Sequence, residues 1–286
     1  MAQSTPIELP PSGAVNTDAG ELYFIGNATT LITYDGFTLL TDPAFMHQGG
    51  FTPLGHGIYA RRETEPACAP QNLPPLDLIV LSHYHGDHFD DVAASELDKQ
   101  IPIVTTQHAT EQLAPLGFKN LHAINTWESQ PIKKGDSELL VTAMPAKHAP
   151  DPVVDLLPPV MGSMLEFSRK GEHLFRLYIS GDTLIFDPLH DIPKRYPDID
   201  LGLFHVGGTT LLGVLVTMNG EQGVQAVKII HPHEAIPIHF NDYSVFLSGL
   251  DDFKEAAKKA SLTTNIHYLT QGDTYRFRVG VKSGGD

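Results

Sequence analysis

Four side chains that bind metal ions well lie close together in the sequence: His83, His85, Asp87 and His88. In an extended segment, alternate residues point to the same side, so His83 and His85 can hold one ion together. Gly86 allows the chain to turn, which directs Asp87 and His88 toward a second point nearby. Imidazole nitrogens and carboxylate oxygens suit zinc, manganese or iron. A histidine-rich surface loop is the alternative, since the chain has 15 histidines, but this ordered run favours a metal site.

The segment that precedes this run is predicted to be a buried strand. Residues 76–81 read Leu-Asp-Leu-Ile-Val-Leu and follow Pro74 and Pro75. A short run of branched apolar residues bounded by prolines is typical of a strand inside a sheet. The four candidate ligands therefore leave the sheet where this strand ends, on a loop whose base is held rigid.

Three further candidate ligands, His148, Asp182 and His239, also follow apolar segments that are predicted to be strands. Taken singly, each has an ordinary alternative: a surface histidine, a turn-forming Ser-Gly-Asp and a core histidine. Polar residues at strand ends often only cap or turn the chain. His205 also ends an apolar run, and for it the core histidine is the favoured interpretation.

The rest of the pattern predicts a mixed α+β fold in a single domain spanning residues 1–286. Strands dominate early in the chain and mix with helices later, which suits two sheets packed face to face with helices outside. The predicted helices cover residues 91–99, 109–116, 220–230 and 250–259. Residues 1–20 are expected to form a loose N-terminal arm. Residues 42–75 have many Gly and Pro and no periodicity, which predicts a long loop facing the substrate.

Composition limits the classes of function. The formal net charge of -15 argues against a nucleic-acid-binding protein, because phosphate backbones attract basic surfaces. No apolar stretch approaches the length that spans a bilayer, and the first residues do not have the pattern of a signal peptide. Cys68 is the single cysteine, which excludes an internal disulfide and a thiolate-rich metal site. We therefore expect a cytoplasmic protein.

The order of the candidate ligands resembles that of the metallo-β-lactamase superfamily, over most of the chain from about Leu22 to Leu269. More specifically, the chain resembles the branch of ascorbate-6-phosphate lactonase and N-acyl-phosphatidylethanolamine phospholipase. The residues that carry this closer resemblance are Gly26-Asn27-Ala28-Thr29-Thr30, Leu40-Thr41-Asp42-Pro43, Ser180-Gly181-Asp182-Thr183 and Ile236-Pro237-Ile238-His239-Phe240. Asp182 stands where lactamases have a cysteine ligand, which argues against antibiotic hydrolysis.

The resemblance implies an αββα sandwich that holds two divalent metal ions, with zinc expected first and manganese or iron as alternatives. It assigns the first ion to His83, His85 and His148, and the second to Asp87, His88 and His239, with Asp182 bridging both. It also gives the two carboxylates catalytic roles. Asp182 would fix the spacing of the ions, and Asp87 would orient the nucleophile.

The leading functional hypothesis is a dinuclear metal-dependent hydrolase in which a metal-bound hydroxide attacks a small ester, a lactone or a phosphodiester. The same ions stabilise either oxyanion, so the ligand set leaves the lactonase and phosphodiesterase types open. An RNA-processing nuclease and a non-catalytic metal-binding or regulatory protein are the alternatives. We expect a small-molecule substrate and leave open whether it is anionic. The sequence also leaves open whether the protein forms a homo-oligomer. Arg61, Arg62 and Lys147 are weak candidates for binding an anionic substrate, with ordinary surface residues as the alternative.

Overall fold

Most of the chain is built into two mixed β-sheets. The structure, a computed structural model, describes residues 4–13, 15–55 and 57–279. The strands in chain order are β1 (Ile7–Leu9), β2 (Ala19–Gly26), β3 (Thr29–Tyr34), β4 (Phe37–Thr41), β5 (Phe51–Pro53), β6 (Tyr59–Arg61), β7 (Leu78–Val80), β8 (Ile103–Thr105), β9 (Leu121–Ala123), β10 (Ser129–Lys134), β11 (Ser137–Met144), β12 (Gly162–Arg169), β13 (Glu172–Ile179), β14 (Leu201–His205), β15 (Thr210–Leu211), β16 (Val214–Leu215), β17 (Glu234–Ile238), β18 (Asn265–Ile266) and β19 (Thr274–Arg278). The α-helices are α1 (Asp91–Glu96), α2 (Gln107–Leu113), α3 (Ile192–Arg195), α4 (Gly220–Ile230) and α5 (Leu250–Ala260), and short 3-10 helices cover Pro70–Asn72, Ala114–Leu116, Val153–Leu156 and Asp187–Asp191.

The two sheets form the inner layers of a sandwich. One has eight strands in the order β1-β10-β11-β12-β13-β14-β17-β18, and the other has seven in the order β19-β2-β3-β4-β7-β8-β9. Apolar side chains from both sheets, such as Leu22 and Leu165, share one buried core. A second core packs α1 and α2 onto the seven-stranded sheet through residues such as Ala93 and Leu113. The predicted α+β sandwich with helices outside is confirmed.

All the α-helices except α3 begin where the sequence offers a capping side chain or an acidic first turn. Asp90 accepts a hydrogen bond from the Ala93 N–H at 2.8 Å and so begins α1, and Asn219 does the same for α4. Gly220 lets α4 approach α5, because a Cβ there would lie 2.5 Å from the Phe253 nitrogen. The longest helices have 11 residues, and no helix among the described residues is long and apolar enough to cross a membrane.

Strand direction explains how distant parts of the sequence meet. β4 and β7 run parallel, as do β13, β14 and β17. β11 pairs antiparallel with β12, which pairs antiparallel with β13, so β11 runs in the same direction as β13. The carboxyl ends of neighbouring strands with a common direction lie at the same edge of their sheet, which is where α/β proteins gather binding residues.

Two segments differ from the expectation of irregular structure. Part of the arm that was expected to be loose, Ile7–Leu9, pairs in parallel with β10. Within the predicted long loop 42–75, β5 and β6 form an antiparallel hairpin. These strands have three residues each, which is too short to produce a recognisable alternation. β10 also has no clear pattern, because Pro131 interrupts it.

Replacing Phe167 by alanine is expected to lower the free energy of unfolding by about 3–5 kcal/mol. Phe167 is completely buried, and its ring centroid lies 5.2 Å from that of Tyr34 and 6.1 Å from that of Phe37. Phe51→Ala is the matched control, because Phe51 is 62% exposed and its loss should change stability by less than about 0.5 kcal/mol. Urea denaturation at equal metal content measures both variants. Equal losses in the free energy of unfolding for the two variants would contradict the assignment of Phe167 to the core.

Candidate metal centre

The candidate ligands of the sequence meet at one edge of the sandwich. His83 and His85 follow β7, His148 follows β11, Asp182 follows β13 and His239 follows β17. All of them are buried, with 0–8% of each residue exposed. The structure therefore brings together residues that are up to about 150 positions apart in the chain, and it separates them into two groups.

Three imidazole rings form the first group. The Nδ1 atom of His85 lies 3.1 Å from Nε2 of His83 and 3.2 Å from Nε2 of His148. Nδ1 of His148 donates to the Val216 carbonyl at 2.8 Å, and since a neutral imidazole carries one proton, Nε2 presents a lone pair. Ser82 Oγ lies 2.9 Å from Nδ1 of His83 and orients that ring in the same way. Three ring nitrogens thus converge on one point.

The rings of this first group are neutral. Burial lowers the pKa of His83 well below its usual value, and the neighbouring His88 lowers it further. Burial together with His148 lowers the pKa of His85 to about 3. Burial also lowers the pKa of His148. Neutral imidazole is the form that binds metal ions, so no proton has to be removed at neutral pH.

Carboxylates and imidazoles together form the second group. Nε2 of His88 and Nε2 of His239 are 3.1 Å apart. Asp87 Oδ2 lies 3.4 Å from Nε2 of His239, and Asp182 Oδ2 lies 3.4 Å from Nε2 of His88. The two groups are adjacent, because the ring centroids of His83 and His88 are 4.2 Å apart.

Opposite charges control protonation in the second group. Burial would raise the pKa of Asp87, but His88 and His239 outweigh it and lower that pKa to about 2. The same opposition between burial and its histidine neighbours holds the pKa of Asp182 well below its usual range. Burial would lower the pKa of His88, yet Asp182 and Asp87 raise it well above its usual value. The two carboxylates thus stabilise positive charge between them.

Several polar residues that the sequence did not assign hold these ligands in place. Asp42 accepts hydrogen bonds from the backbone N–H of Ser82 at 2.6 Å and from its hydroxyl at 2.9 Å, and it lies 3.1 Å from Nδ1 of His88. Asn27 donates to the Asp87 carbonyl and accepts from the His239 N–H. Asn27, Asp42 and His239 all have positive φ, a strained conformation that is common at functional sites. Asn27 and Asp42 belong to segments that carried the family resemblance, and this was their only signal.

His205 is part of the second group rather than an isolated core histidine. Its Nδ1 lies 2.9 Å from Asp182 Oδ1, and its ring stacks on that of His239 with centroids 5.1 Å apart. Thr217 donates to Asp182 Oδ2 at 2.8 Å. His88, Asp182, His205 and His239 offer ligand atoms that all lie within 4.8 Å of one another. The position of His205 at the end of an apolar run was a signal, although a core histidine was the favoured interpretation, and no pattern in the sequence indicated Thr217.

Gly86 serves a close approach between two loops. A Cβ at this position would lie against the Thr52 side chain and 2.5 Å from the Pro53 carbonyl oxygen. The Gly86 N–H also donates to that carbonyl at 3.3 Å. The β5–β6 hairpin therefore packs directly on the loop that carries the first ligands, which a larger residue at this position would prevent.

The donor set fits a metal site. Asp87 Oδ1, His205 Nε2 and His239 Nδ1 are buried atoms for which the described residues provide no hydrogen-bond partner. Unpaired buried polar atoms are costly, and converging nitrogen lone pairs stabilise each other only through a shared cation. The two groups, His83, His85 and His148 on one side and His88, Asp182, His205 and His239 on the other, could each hold an ion.

The structure does not bring the three weak substrate-binding candidates to the site. Arg61 pairs with Glu63 on the surface at 3.0 Å. Arg62 is completely buried and lies 3.4 Å from Asp242, where it serves the packing of the loop. Lys147 pairs with Asp151 at 2.8 Å. The sequence does not show whether a basic residue is available to bind a substrate or is already paired with a carboxylate.

Comparisons with curated proteins identify relatives of similar length. Protein YddR of Bacillus subtilis, a UPF0173 protein, is 25% identical over 263 residues, which cover 88% of this chain and 98% of that protein. A UPF0173 metal-dependent hydrolase of Thermus thermophilus is also 25% identical over 263 residues, covering 90% of this chain and 98% of that protein. Both similarities extend over nearly the whole of each relative.

Comparisons with solved structures show a shared fold. An isothiocyanate hydrolase from Delia radicum gut bacteria superimposes with a TM-score of 0.76 at 20% identity, covering 90% of this chain and 99% of that one. A possible metal-dependent hydrolase from Veillonella parvula gives a TM-score of 0.74 at 19% identity, covering 92% and 99%. At such identities the likeness concerns architecture alone.

The family is shown by a match over most of the chain. Residues 38–240 match the β-lactamase superfamily domain. This region contains both groups of histidines and carboxylates, from His83 to His239, together with the strands that position them. The chain therefore belongs to the metallo-β-lactamase superfamily.

Proposed function

We propose that this protein is a hydrolase that uses two divalent metal ions to cleave a small ester, a lactone or a phosphodiester. The observation that carries the proposal is the pair of adjacent buried groups, one of three neutral imidazoles and one that adds carboxylates to imidazoles. The names of the curated relatives, which include metal-dependent hydrolases, support the same reaction class.

In this proposal His83, His85 and His148 would hold the first ion. Asp87, His88 and His239 would hold the second, and Asp182 would be shared by the two. The bridging role is supported by the position of Asp182, whose Oδ2 lies 3.4 Å from Nε2 of His88, a ring whose centroid is 4.2 Å from that of His83 in the first group. The nitrogen and oxygen donors favour zinc, with manganese and iron as alternatives.

When bound, such ions supply a nucleophile by lowering the pKa of water, and they polarise the group under attack. The protein's own residues orient the reactants. Asp87 Oδ1 is buried without a partner among the described residues and can accept a hydrogen bond from the attacking water. Thr217 and His205 hold the two oxygens of Asp182 at 2.8 and 2.9 Å. These contacts keep the carboxylate in one orientation during the reaction.

The experiment that tests the proposal is a paired assay on metal-analysed protein. One panel contains lactones, including sugar-phosphate lactones, and the other contains simple and lipid phosphodiesters. These panels follow from the resemblance to ascorbate-6-phosphate lactonase and N-acyl-phosphatidylethanolamine phospholipase. An isothiocyanate is added because a similar structure bears that name. Turnover that disappears with a chelator and returns with zinc or manganese supports the proposal, and no turnover above the blank overturns it.

Asp87→Asn is expected to reduce kcat by at least about 100-fold, because it removes a charged ligand that also orients water. The matched control is Asp136→Asn, since Asp136 is 56% exposed in the turn before β11, at the opposite end of that strand from His148. Steady-state kinetics and metal content are measured for both variants. A variant of Asp87 with normal turnover would remove this residue from the site.

Asp42→Asn is expected to weaken metal binding by about 10–100-fold, because a carboxylate behind a metal-binding histidine fixes its orientation. The control is Asp35→Asn at the other end of β4, since Asp35 is 1% exposed and Asp42 is 2% exposed. Competition with a chromophoric chelator measures the affinity. Both variants lose stability, but only the first should lose affinity. Equal affinities would reduce Asp42 to a purely structural role.

A further inference from the structure

A large open cavity adjoins the first group of histidines. Its volume is about 910 Å³, and His85 and His148 are among the residues that line it. Ligand sites in proteins commonly occupy about 300–1,000 Å³, so this cavity is large enough for a substrate bigger than its reacting group. The part of the substrate that does not react must therefore lie against the remaining walls.

Those walls are mainly apolar. On one side, the β5–β6 hairpin contributes Pro53 and Leu54. Leu54 is held in place by a small core that it shares with Ala60 and Tyr243. On the other side, the segment between His148 and β12 contributes Val154, Leu157 and Val160. Burial of an apolar group between these walls removes apolar surface from water on both partners.

The charged residues of the cavity are acidic. Asp90, Asp91 and Asp155 line it, and none of the described lining residues is a lysine or an arginine. The charge of Asp90 is partly compensated locally, because its oxygens accept from the N–H groups of Ala93 and Met46. Asp91 and Asp155 are exposed at the cavity and repel negative charge. His108 is the one histidine of the described lining outside the metal centre, so an anionic group there would find no lysine or arginine to pair with.

The three basic residues that the sequence suggested for binding an anionic substrate already form ion pairs with other residues. Arg62 is paired with Asp242 in the protein interior, and Arg61 and Lys147 pair with Glu63 and Asp151. The formal net charge of -15 adds a repulsive field around the whole molecule. Neither the local contacts nor the overall electrostatic field favours a substrate that carries a negative group away from the metal centre.

We propose that this cavity binds the apolar chain of an uncharged carboxylic ester or lactone, with the acyl carbon placed beside His85 and His148. This rests on the proposed hydrolase function and selects acyl substrates over phosphodiesters. In the reaction, the oxygen of water forms a bond to the acyl carbon and the acyl C–O bond breaks. The leaving alkoxide takes one proton of the water, and the second proton goes to solvent as the carboxylate forms. The acidic cavity then repels this anionic product, which assists its release.

The test begins with binding, which does not depend on turnover. Lactams that carry alkyl chains of two to eight carbons imitate a lactone but resist hydrolysis, and their affinity for the metal-loaded protein is measured by calorimetry. Affinity should rise by about four-fold for each added methylene until the cavity is filled. A lactam whose chain ends in a carboxylate should bind at least about 10-fold more weakly than its uncharged match. Affinity that is independent of chain length, or a preference for the carboxylate, overturns the proposal.

A variant locates the binding in this cavity. Leu157→Lys places a cation in the apolar wall, so it should remove the dependence on chain length and reverse the penalty for the carboxylate. Leu116→Lys is the matched control, because Leu116 is 39% exposed in the 3-10 helix that follows α2 and does not line the cavity. Metal content should stay the same in both variants. If lactam affinity depends on alkyl-chain length in the same way in both variants, the alkyl chain binds outside this cavity and the proposal is overturned.

The substrate assay separates this proposal from the hydrolase function. If the protein turns over phosphodiesters better than uncharged lactones of the same chain length, the hydrolase stands and the cavity proposal fails. If nothing is hydrolysed but the lactams bind with the expected dependence on chain length, the hydrolase fails and the apolar binding site stands. Chain-dependent turnover of uncharged lactones supports both.

Discussion

Asp87 and Asp182 are carboxylates buried among imidazole rings, and water cannot compensate their charge there. Protein groups do so instead: His88 and His239 face Asp87, while Thr217 and His205 hold Asp182. These partners come from four separate strand ends, so the charges can be compensated only when the two sheets are correctly assembled. The local cost of burying these groups is thus offset by the fold as a whole, and the same arrangement creates a site that attracts cations.

Burial and charge give the two groups different electrostatic characters. In the first group, burial keeps the imidazoles neutral, as the lowered pKa of His85 to about 3 indicates. In the second group, two carboxylates outweigh burial and raise the pKa of His88 well above its usual value. The first group therefore offers only nitrogen ligands to an ion, while the second group also offers the negative charge of its carboxylates. Asp87 and His88 directly follow the segment with His83 and His85, whereas Asp182, the other carboxylate, comes from the distant end of β13.

Local patterns predicted the parts of the site whose geometry is local, while the family resemblance indicated the distant His148, Asp182 and His239. Alternate residues after an apolar run are enough to indicate that His83 and His85 act together, and the sandwich follows from the mixture of strands and helices. The positions of His205 and Thr217 depend instead on how β14 and the following loop pack against β13, which no local pattern reports. Arg62 shows the same limit, because its burial depends on Asp242, 180 residues away in the chain. β1 and the β5–β6 hairpin were not predicted, because these strands are stabilised by pairing with other strands and show no periodicity in their own sequences.

The two walls of the cavity are anchored in different ways. Arg62 and Asp242 form a fully buried ion pair, and backbone hydrogen bonds join Arg61 and Glu63 to the loop that follows His239. Breaking such a pair leaves an uncompensated charge in the interior, so the hairpin wall and the metal-binding loop must change together. The opposite wall, around the 3-10 helix Val153–Leu156, belongs to neither sheet. Substitutions there can reshape the cavity while the metal-binding loops keep their anchors, which makes this segment the part of the chain through which relatives could acquire new substrates without rebuilding their chemistry.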